Sequence, residues 1–234
     1  MRFSHSRGER VATVAMKSMT NADSIVALTN FFLSIENFLF AWLLVRKTPS
    51  NYFRSSLVLF FHSSGWAALL GAMVHAYFSA RSSWGFKILW RWILLAIGPA
   101  IFGLWQASAA IYPEARWNQI LRRLSVVQLS LYIPLVLFFL PDYLFVIANY
   151  LPAVVFLLVV LGQLGVQTKQ GTAFLGVAGL LLALAGSYIQ NARLAWDPVY
   201  LNHNTIYHLF LMASFALLFF CGQALKPFPR ETMQ

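Results

Sequence analysis

The amino-acid sequence predicts an all-α fold: a polytopic membrane protein built as a seven-transmembrane-helix bundle. Composition is the first reason, because 59% of the 234 residues are hydrophobic and only 10% are charged. A soluble domain usually carries about 25% charged residues. Spacing is the second, because the apolar residues gather in segments of roughly 20 residues, the length that crosses a hydrocarbon core. With so little polar surface, the exterior is expected to face lipid.

The segments predict spans at residues 24–45, 56–78, 87–111, 124–140, 143–164, 172–190 and 204–224. Pro99 and Pro152 lie inside the third and fifth spans. Each removes one backbone hydrogen bond, which predicts a kink there. The sixth span carries Gly179, Ala183 and Ser187 at four-residue spacing. Such a stripe of small residues predicts that a neighbouring helix approaches closely.

The chain divides into a basic segment 1–22, a transmembrane domain 23–225 and a short tail 226–234. The basic segment fits either an interfacial amphipathic helix or the remnant of an organellar address. No room is left for a separate catalytic domain. The lone Cys221 excludes an intrachain disulfide and a Cys-rich metal site.

The formal net charge of +10 comes from bases at span ends and in loops. That placement is typical of anchors to anionic lipid headgroups, so membrane lipids rather than nucleic acid are the expected partners. An N-terminus outside and a cytoplasmic C-terminus would put these bases inside: Arg46, Lys47, Arg54, Arg116, Arg122, Arg123, Lys169, Lys226 and Arg230. Only Arg81, Lys87, Arg91 and Arg193 would then lie in outer loops, although the basic N-terminal tail opposes this orientation.

Polar residues are predicted to gather at one membrane face. Because alternate spans reverse direction, the beginnings of spans one, three and seven share a face with the ends of spans two and six. His75, Asn204 and His208 are the centre of this group, and Asn204 and His208 lie four residues apart on one helical face. The candidate ligand-binding residues are Asp23, Asn30, Asn37, Arg91, Asn191, His203 and Asn204. The alternative is that such residues only satisfy loop carbonyls and headgroups.

Span one carries a polar stripe, because Asp23, Asn30 and Asn37 repeat every seven residues with Ser34 between them. The stripe is predicted to face the bundle and to line a water-filled cleft. Interhelical hydrogen bonding would explain it equally well.

Glu36 and His62 are predicted to be buried ionisable residues inside spans one and two. A midplane Glu is either protonated or paired, so Glu36 fits a proton carrier, a ligand or an interhelix hydrogen bond. His62 stands thirteen residues before His75. At 1.5 Å per residue this is roughly 20 Å, so the two cannot share one small site.

Two segments, GAMVHAYF in span two and HNTIYHLFLMASFALLFF in span seven, carry a resemblance. They resemble the ceramidase-like (CREST) superfamily of seven-transmembrane hydrolases, and specifically an uncharacterised bacterial-type branch. The resemblance implies zinc held by His75 and His208, and a lipid-binding protein or metal-dependent lipid hydrolase. Gly71 and Asn204 stand where the superfamily has Ser and a further His, and span three has no acid, so the implied site is degenerate.

Two other classes remain open. The small size, the missing soluble domain and the 16% aromatic content fit a non-catalytic subunit of a larger membrane complex with partner subunits. His75 and His208 at one face also fit the axial ligands of a haem-binding redox protein.

Overall fold

The protein is an integral, multi-pass membrane protein built from seven helices. The structure, a computed structural model, describes residues 5–47, 51–78, 80–112, 114–139 and 143–226. The helices are α1 (His5–Arg46), α2 (Tyr52–Tyr77), α3 (Trp84–Ile111), α4 (Ala115–Phe139), α5 (Tyr143–Thr168), α6 (Gly171–Asn191) and α7 (His203–Ala224). Each is long and apolar enough to cross a membrane. The predicted seven-helix bundle is confirmed.

Two helices begin well before the predicted spans. The segment predicted as a separate basic region is helical from His5 and continues into span one without a break. Similarly, α4 begins at Ala115, nine residues before the predicted start at 124. Hydropathy marks only the part of a helix that meets hydrocarbon, whereas the helix itself continues until a breaker stops it. The 42 residues of α1 extend about 63 Å, far more than a hydrocarbon core of about 30 Å.

Six of the helices form a closed ring. Neighbours pack in the order α1, α2, α3, α5, α6 and α7, and α7 returns to α1 and also touches α2. The remaining helix, α4, packs on the outside against α3. It reaches α5 through a hydrogen bond from Gln128 to Asn149 (2.8 Å) and the stacked rings of Tyr132 and Phe145.

Glycines allow the closest helix contacts. A Cβ at Gly103 of α3 would lie 2.8 Å from the backbone oxygen of Ser56 on α2. A Cβ at Gly179 of α6 would lie 2.7 Å from the backbone oxygen of Ser214 on α7. The close approach predicted for the sixth span is therefore confirmed at Gly179.

The core is filled mainly by aliphatic and aromatic side chains. Leu57, Phe61, Leu157 and Leu161 are fully buried in one cluster that joins the ring helices. A smaller cluster of Leu94, Tyr132, Val136 and Val146 joins α4 to α3 and α5. Exposed Leu, Val and Phe side chains cover the outside, as expected where lipid is the solvent.

One end of the bundle is closed by buried polar bonds; we call it the Arg54 end. The Arg54 side chain is buried, and its Nε and Nη1 donate to the backbone oxygens of Gly222 and Lys47, both at 3.3 Å. Beside it, the Tyr52 hydroxyl donates to Gln106 (2.5 Å), and the Gln106 amide donates to Ser125 Oγ (2.6 Å). These bonds tie α2 to α7 and link α2, α3 and α4.

Two local motifs shape the opposite end, which we call the His75 end. Asn202 caps α7 by accepting hydrogen bonds from the backbone amides of Asn204 (3.0 Å) and Thr205 (3.1 Å). Arg193, with a left-handed φ of 53°, terminates α6. The amide of Leu194 donates to the oxygen of Ile189 (3.0 Å) there, completing a Schellman motif.

Candidate polar site at the His75 end

Side chains from four helices pair at the His75 end. The pairs are Asp23–His75 between α1 and α2, Thr29–His208 between α1 and α7, and Gln190–Asn204 between α6 and α7. Together with Asn30, which lies beside Gly71, these residues are called the His75 cluster below. The structure places Asp23, His75, Asn204 and His208 at one end of the bundle, as the sequence predicted.

Asp23 holds one nitrogen of the His75 ring. The His75 Nδ1 lies 3.3 Å from Asp23 Oδ1. Both side chains are partly open to the surroundings, with 27% of His75 and 35% of Asp23 exposed. A carboxylate only accepts hydrogen bonds, so the His75 Nδ1 is the donor. In the neutral ring, Nε2 then carries a lone pair that is free to accept.

His208 is fixed in the same way but deeper in the bundle. Its side chain is buried, and its Nδ1 lies 2.9 Å from Thr29 Oγ1. The Thr29 hydroxyl donates its single proton to the backbone oxygen of Val26 (3.0 Å). The hydroxyl can therefore only accept from His208, so Nδ1 of the neutral ring carries the proton and Nε2 is left as an acceptor. His75 is close enough to His208 for the charges of the two rings to interact.

The remaining members connect the cluster to α6 and to the centre of the bundle. The Gln190 amide donates to Asn204 Oδ1 at 3.2 Å. The amide of Asn30 occupies the space beside Gly71, where a Cβ would lie 3.2 Å from Asn30 Oδ1. The absence of a side chain at Gly71 therefore makes room for the Asn30 amide.

The predicted polar stripe on α1 faces the interior. Asn30, Ser34 and Asn37 are all buried, which confirms the predicted orientation of this face. Asn37 lies deeper than the cluster; its amide donates to the backbone oxygen of Leu33 (2.7 Å), and its Oδ1 is buried without a hydrogen-bond partner.

Besides Asn37, three predicted ligand-binding residues lie outside the pairs of the His75 cluster. Asn191 is exposed at the end of α6. His203 is half-buried and interacts electrostatically with Arg193. Arg91 on α3 is half-buried, and its Nε has no hydrogen-bond partner.

The prediction that His62 is buried was wrong, because the structure exposes this side chain. Thirteen residues separate it from His75, and at about 100° per residue the two point to nearly opposite sides of α2. Since His75 faces the bundle, His62 must face outwards. Its ring packs edge-on against Phe38 and Trp66.

Thr29 was missed by the sequence analysis. The spacing in the sequence could have indicated it, because Thr29 precedes Glu36 by one heptad and so lies on the same side of α1. What the sequence could not show is that this side packs against α7.

The donor set at this end does not by itself make a metal site. Within residues 5–47, 51–78, 80–112, 114–139 and 143–226, no group of three or more His, Cys, Asp or Glu side chains is arranged to hold a metal ion. A zinc site needs three or four such donors. Asp23 orients the His75 ring through Nδ1, and the described hydrogen bonds leave the Nε2 atom of each ring as an acceptor.

Bundle and cluster together define a class: a polytopic membrane protein with a polar site at one face of a seven-helix bundle. The chain belongs to the family described as "Family of unknown function (DUF6962)", which it matches over residues 25–227. That range holds every member of the His75 cluster except Asp23, which lies two residues before it. No curated protein and no solved structure matches the chain.

Proposed function

We propose that the His75 cluster binds a membrane amphiphile through a headgroup that donates hydrogen bonds, such as a primary amine or a hydroxyl. The observation that carries this proposal is the orientation of the two imidazoles. Asp23 and Thr29 engage the Nδ1 atoms of His75 and His208, which leaves the Nε2 atom of each ring as an acceptor at the same end of the bundle. Such a set is complementary to a group rich in N–H or O–H.

The surroundings favour a lipid over a water-soluble ligand. Exposed aromatic residues stand around the His75 end: Tyr77, Trp84, Tyr188, Trp196 and Tyr200. Tyr and Trp with this exposure are typical of the boundary between hydrocarbon and headgroups. The cluster therefore lies at the depth where lipid headgroups are found, and Arg91 or Arg193 is placed at the same end to pair a phosphate.

The ceramidase-like resemblance implies a zinc-dependent hydrolase, in which the same two imidazoles would hold a metal ion. Two imidazoles whose other nitrogens are held by hydrogen bonds resemble the ligands of a metal. Two imidazole nitrogens are fewer than the three or four ligands that a zinc site needs, so the site supports no hydrolytic step. Bound zinc stays a prediction to be measured.

The test compares wild type with His75→Ala, His208→Ala and the control His62→Ala, which removes the exposed imidazole of α2. Native mass spectrometry would measure retention of phosphatidylethanolamine and of phosphatidylcholine with the same acyl chains. The phosphatidylethanolamine headgroup has a primary ammonium that donates hydrogen bonds. The quaternary ammonium of phosphatidylcholine has no N–H group and donates none. We expect selective retention of phosphatidylethanolamine by wild type and His62→Ala, and its loss in both cluster variants. Equal retention of the two lipids would contradict the proposal.

The same preparations distinguish the metal and haem alternatives. Near-stoichiometric zinc that is lost in His208→Ala would replace headgroup binding with a metal site and would favour lipid hydrolysis. A Soret absorption band lost in the same variant would instead favour the haem protein.

A second candidate, a subunit of a larger membrane complex, is supported by His62. This polar ring is exposed near the middle of α2, beside the exposed Trp66. Polar groups that face hydrocarbon are costly and usually meet a partner. Cross-linking in native membranes should then capture a partner chain from photoreactive residues at position 66 and not from position 138, which faces outwards on α4. A chain that stays a monomer in the membrane would contradict this candidate.

A further inference from the structure

Glu36, which the sequence predicted to be buried, is a half-buried carboxyl group in the middle of a helix long and apolar enough to cross a membrane. It lies fifteen residues after the start and ten before the end of the span Asn21–Arg46. At 1.5 Å per residue these distances are about 22 Å and about 15 Å. The chain has seven Asp and Glu residues, and Glu36 alone occupies the middle of a predicted span.

The Glu36 side chain lies along the seam between α1 and α7. Thr29, one heptad before it, contacts His208 of α7 at 2.9 Å. Phe40, one turn after it, stacks on Phe219 of α7 with ring centroids 4.3 Å apart. Residues seven before and four after a helical position share its side, so Glu36 faces the same neighbour.

Among the side chains that the structure describes, none forms an ion pair with Glu36. Its Oε2 is buried without a hydrogen-bond partner, and the ion pair found among the described residues is Asp23–His75. The basic side chains on the two helices packed against α1 are His203 and His208 on α7, and Arg54, His62 and His75 on α2. Of these, His208 is bound to Thr29, His62 faces outwards, and the others lie at the two ends of the bundle.

The seam is asymmetric on the two sides of Glu36. Towards the Arg54 end, the Phe40–Phe219 stack and the buried Leu44 fill it with apolar groups. Towards the His75 end, the seam holds the hydrogen-bonded Thr29–His208 pair. Thr29 precedes Glu36 by seven residues, or about 10 Å along the axis.

We propose that Glu36 is a proton-binding site: a carboxylic acid that is neutral in the membrane and exchanges its proton with the His75 end. An unpaired carboxylate in hydrocarbon is far more costly than a protonated acid. Proton exchange runs along the α1–α7 seam, past Thr29 and His208. Proton binding at Glu36 does not require headgroup binding, although the route of exchange shares Thr29 and His208 with the His75 cluster.

Chemical labelling tests the neutral acid directly. Dicyclohexylcarbodiimide is apolar and reacts with protonated carboxyls; the acid adds its O–H across a C=N bond, and the O-acylisourea rearranges to an N-acylurea. Peptide mass spectrometry of the full chain at slightly alkaline pH should find one added reagent on Glu36 and none on Asp23, Glu114 or Asp197. The adduct should vanish in Glu36→Gln. An unmodified Glu36 in wild type, under conditions that label another apolar-site carboxyl in a control protein, would overturn the proposal.

Infrared spectroscopy tests the direction of exchange. Wild type should show the C=O stretch of a protonated carboxyl, absent in Glu36→Gln and shifted after transfer to D₂O. The shift should be several-fold slower in Thr29→Val and His208→Phe, and unchanged in Phe40→Leu, which opens the other side of the seam. Absence of the band, or faster exchange in Phe40→Leu with none of the slowing, would sink the proposal. Protection of Cys221 from a thiol reagent verifies that each variant is folded.

Discussion

The two ends of the bundle use similar polar residues in different ways. At the Arg54 end, the buried guanidinium, Gln106 and Ser125 give their hydrogen bonds to one another or to backbone oxygens. At the His75 end, Asp23 and His75 stay partly exposed, and both imidazoles keep an acceptor free. Buried and saturated polar groups hold helices together, whereas oriented and unsaturated ones are available to a ligand. Substitutions should therefore cost stability at the first end and binding at the second.

The largest expected effect is Arg54→Ala. It leaves the backbone oxygens of Gly222 and Lys47 without their donor, and two such losses cost about 2–4 kcal/mol in the free energy of unfolding. The readout is the temperature at which a thiol-reactive dye labels Cys221, the lone cysteine, which is fully buried in the native bundle. Arg46→Ala is the control, because Arg46 is exposed and lies over the Trp42 ring at 4.0 Å. Equal shifts in both variants would contradict a structural role for Arg54.

Next in size is Gly103→Ala. The added methyl would lie 2.8 Å from the backbone oxygen of Ser56, which cannot move without shifting α2. We expect a loss of about 1–3 kcal/mol. Gly162→Ala is the matched control, because nothing lies within 4 Å of its Cβ position. By helix propensity alone it should stabilise α5 by up to about 1 kcal/mol. The same dye assay separates the two, and a destabilised Gly162→Ala would mean that the lipid-facing surface is packed.

Ser125→Ala should cost about 1–2 kcal/mol, because it removes the acceptor of the Gln106 amide in a fully buried place. Ser130→Ala, on the exposed side of α4, should leave the unfolding temperature unchanged. If both variants behaved alike, the Arg54 end would not be closed by side-chain bonds as described.

Asp23→Asn should have the smallest effect on stability, below about 1 kcal/mol, because the Asp23–His75 pair is partly exposed. Its effect on binding should be large, since the amide can donate to His75 Nδ1, which moves the proton of the neutral ring to Nε2 and removes the acceptor there. Retention of phosphatidylethanolamine in native mass spectrometry should fall while the dye assay stays near wild type. A variant as unstable as Arg54→Ala would remove the distinction between the two ends.

The sequence predicted the fold because hydropathy and length decide what crosses a membrane. It also predicted which end holds Asp23, His75 and His208, because alternation of direction requires only a count of the spans. It did not reveal the Thr29–His208 pair or the Gln106–Ser125 bond, since both depend on which helices are neighbours and at what register. His62 was a different kind of miss: its phase relative to His75 was present in the spacing.

The position of α4 has a consequence for assembly in the bilayer. Since α3 packs directly against α5, the six-helix ring is complete without the helix that the chain places between them. Association of helices in lipid depends on packing contacts, and the smallest share of these belongs to α4, whose span is only 22% buried. We expect α4 to join the bundle last during biogenesis and to open first in the native state. Its amides should therefore exchange with deuterium ahead of those in the ring.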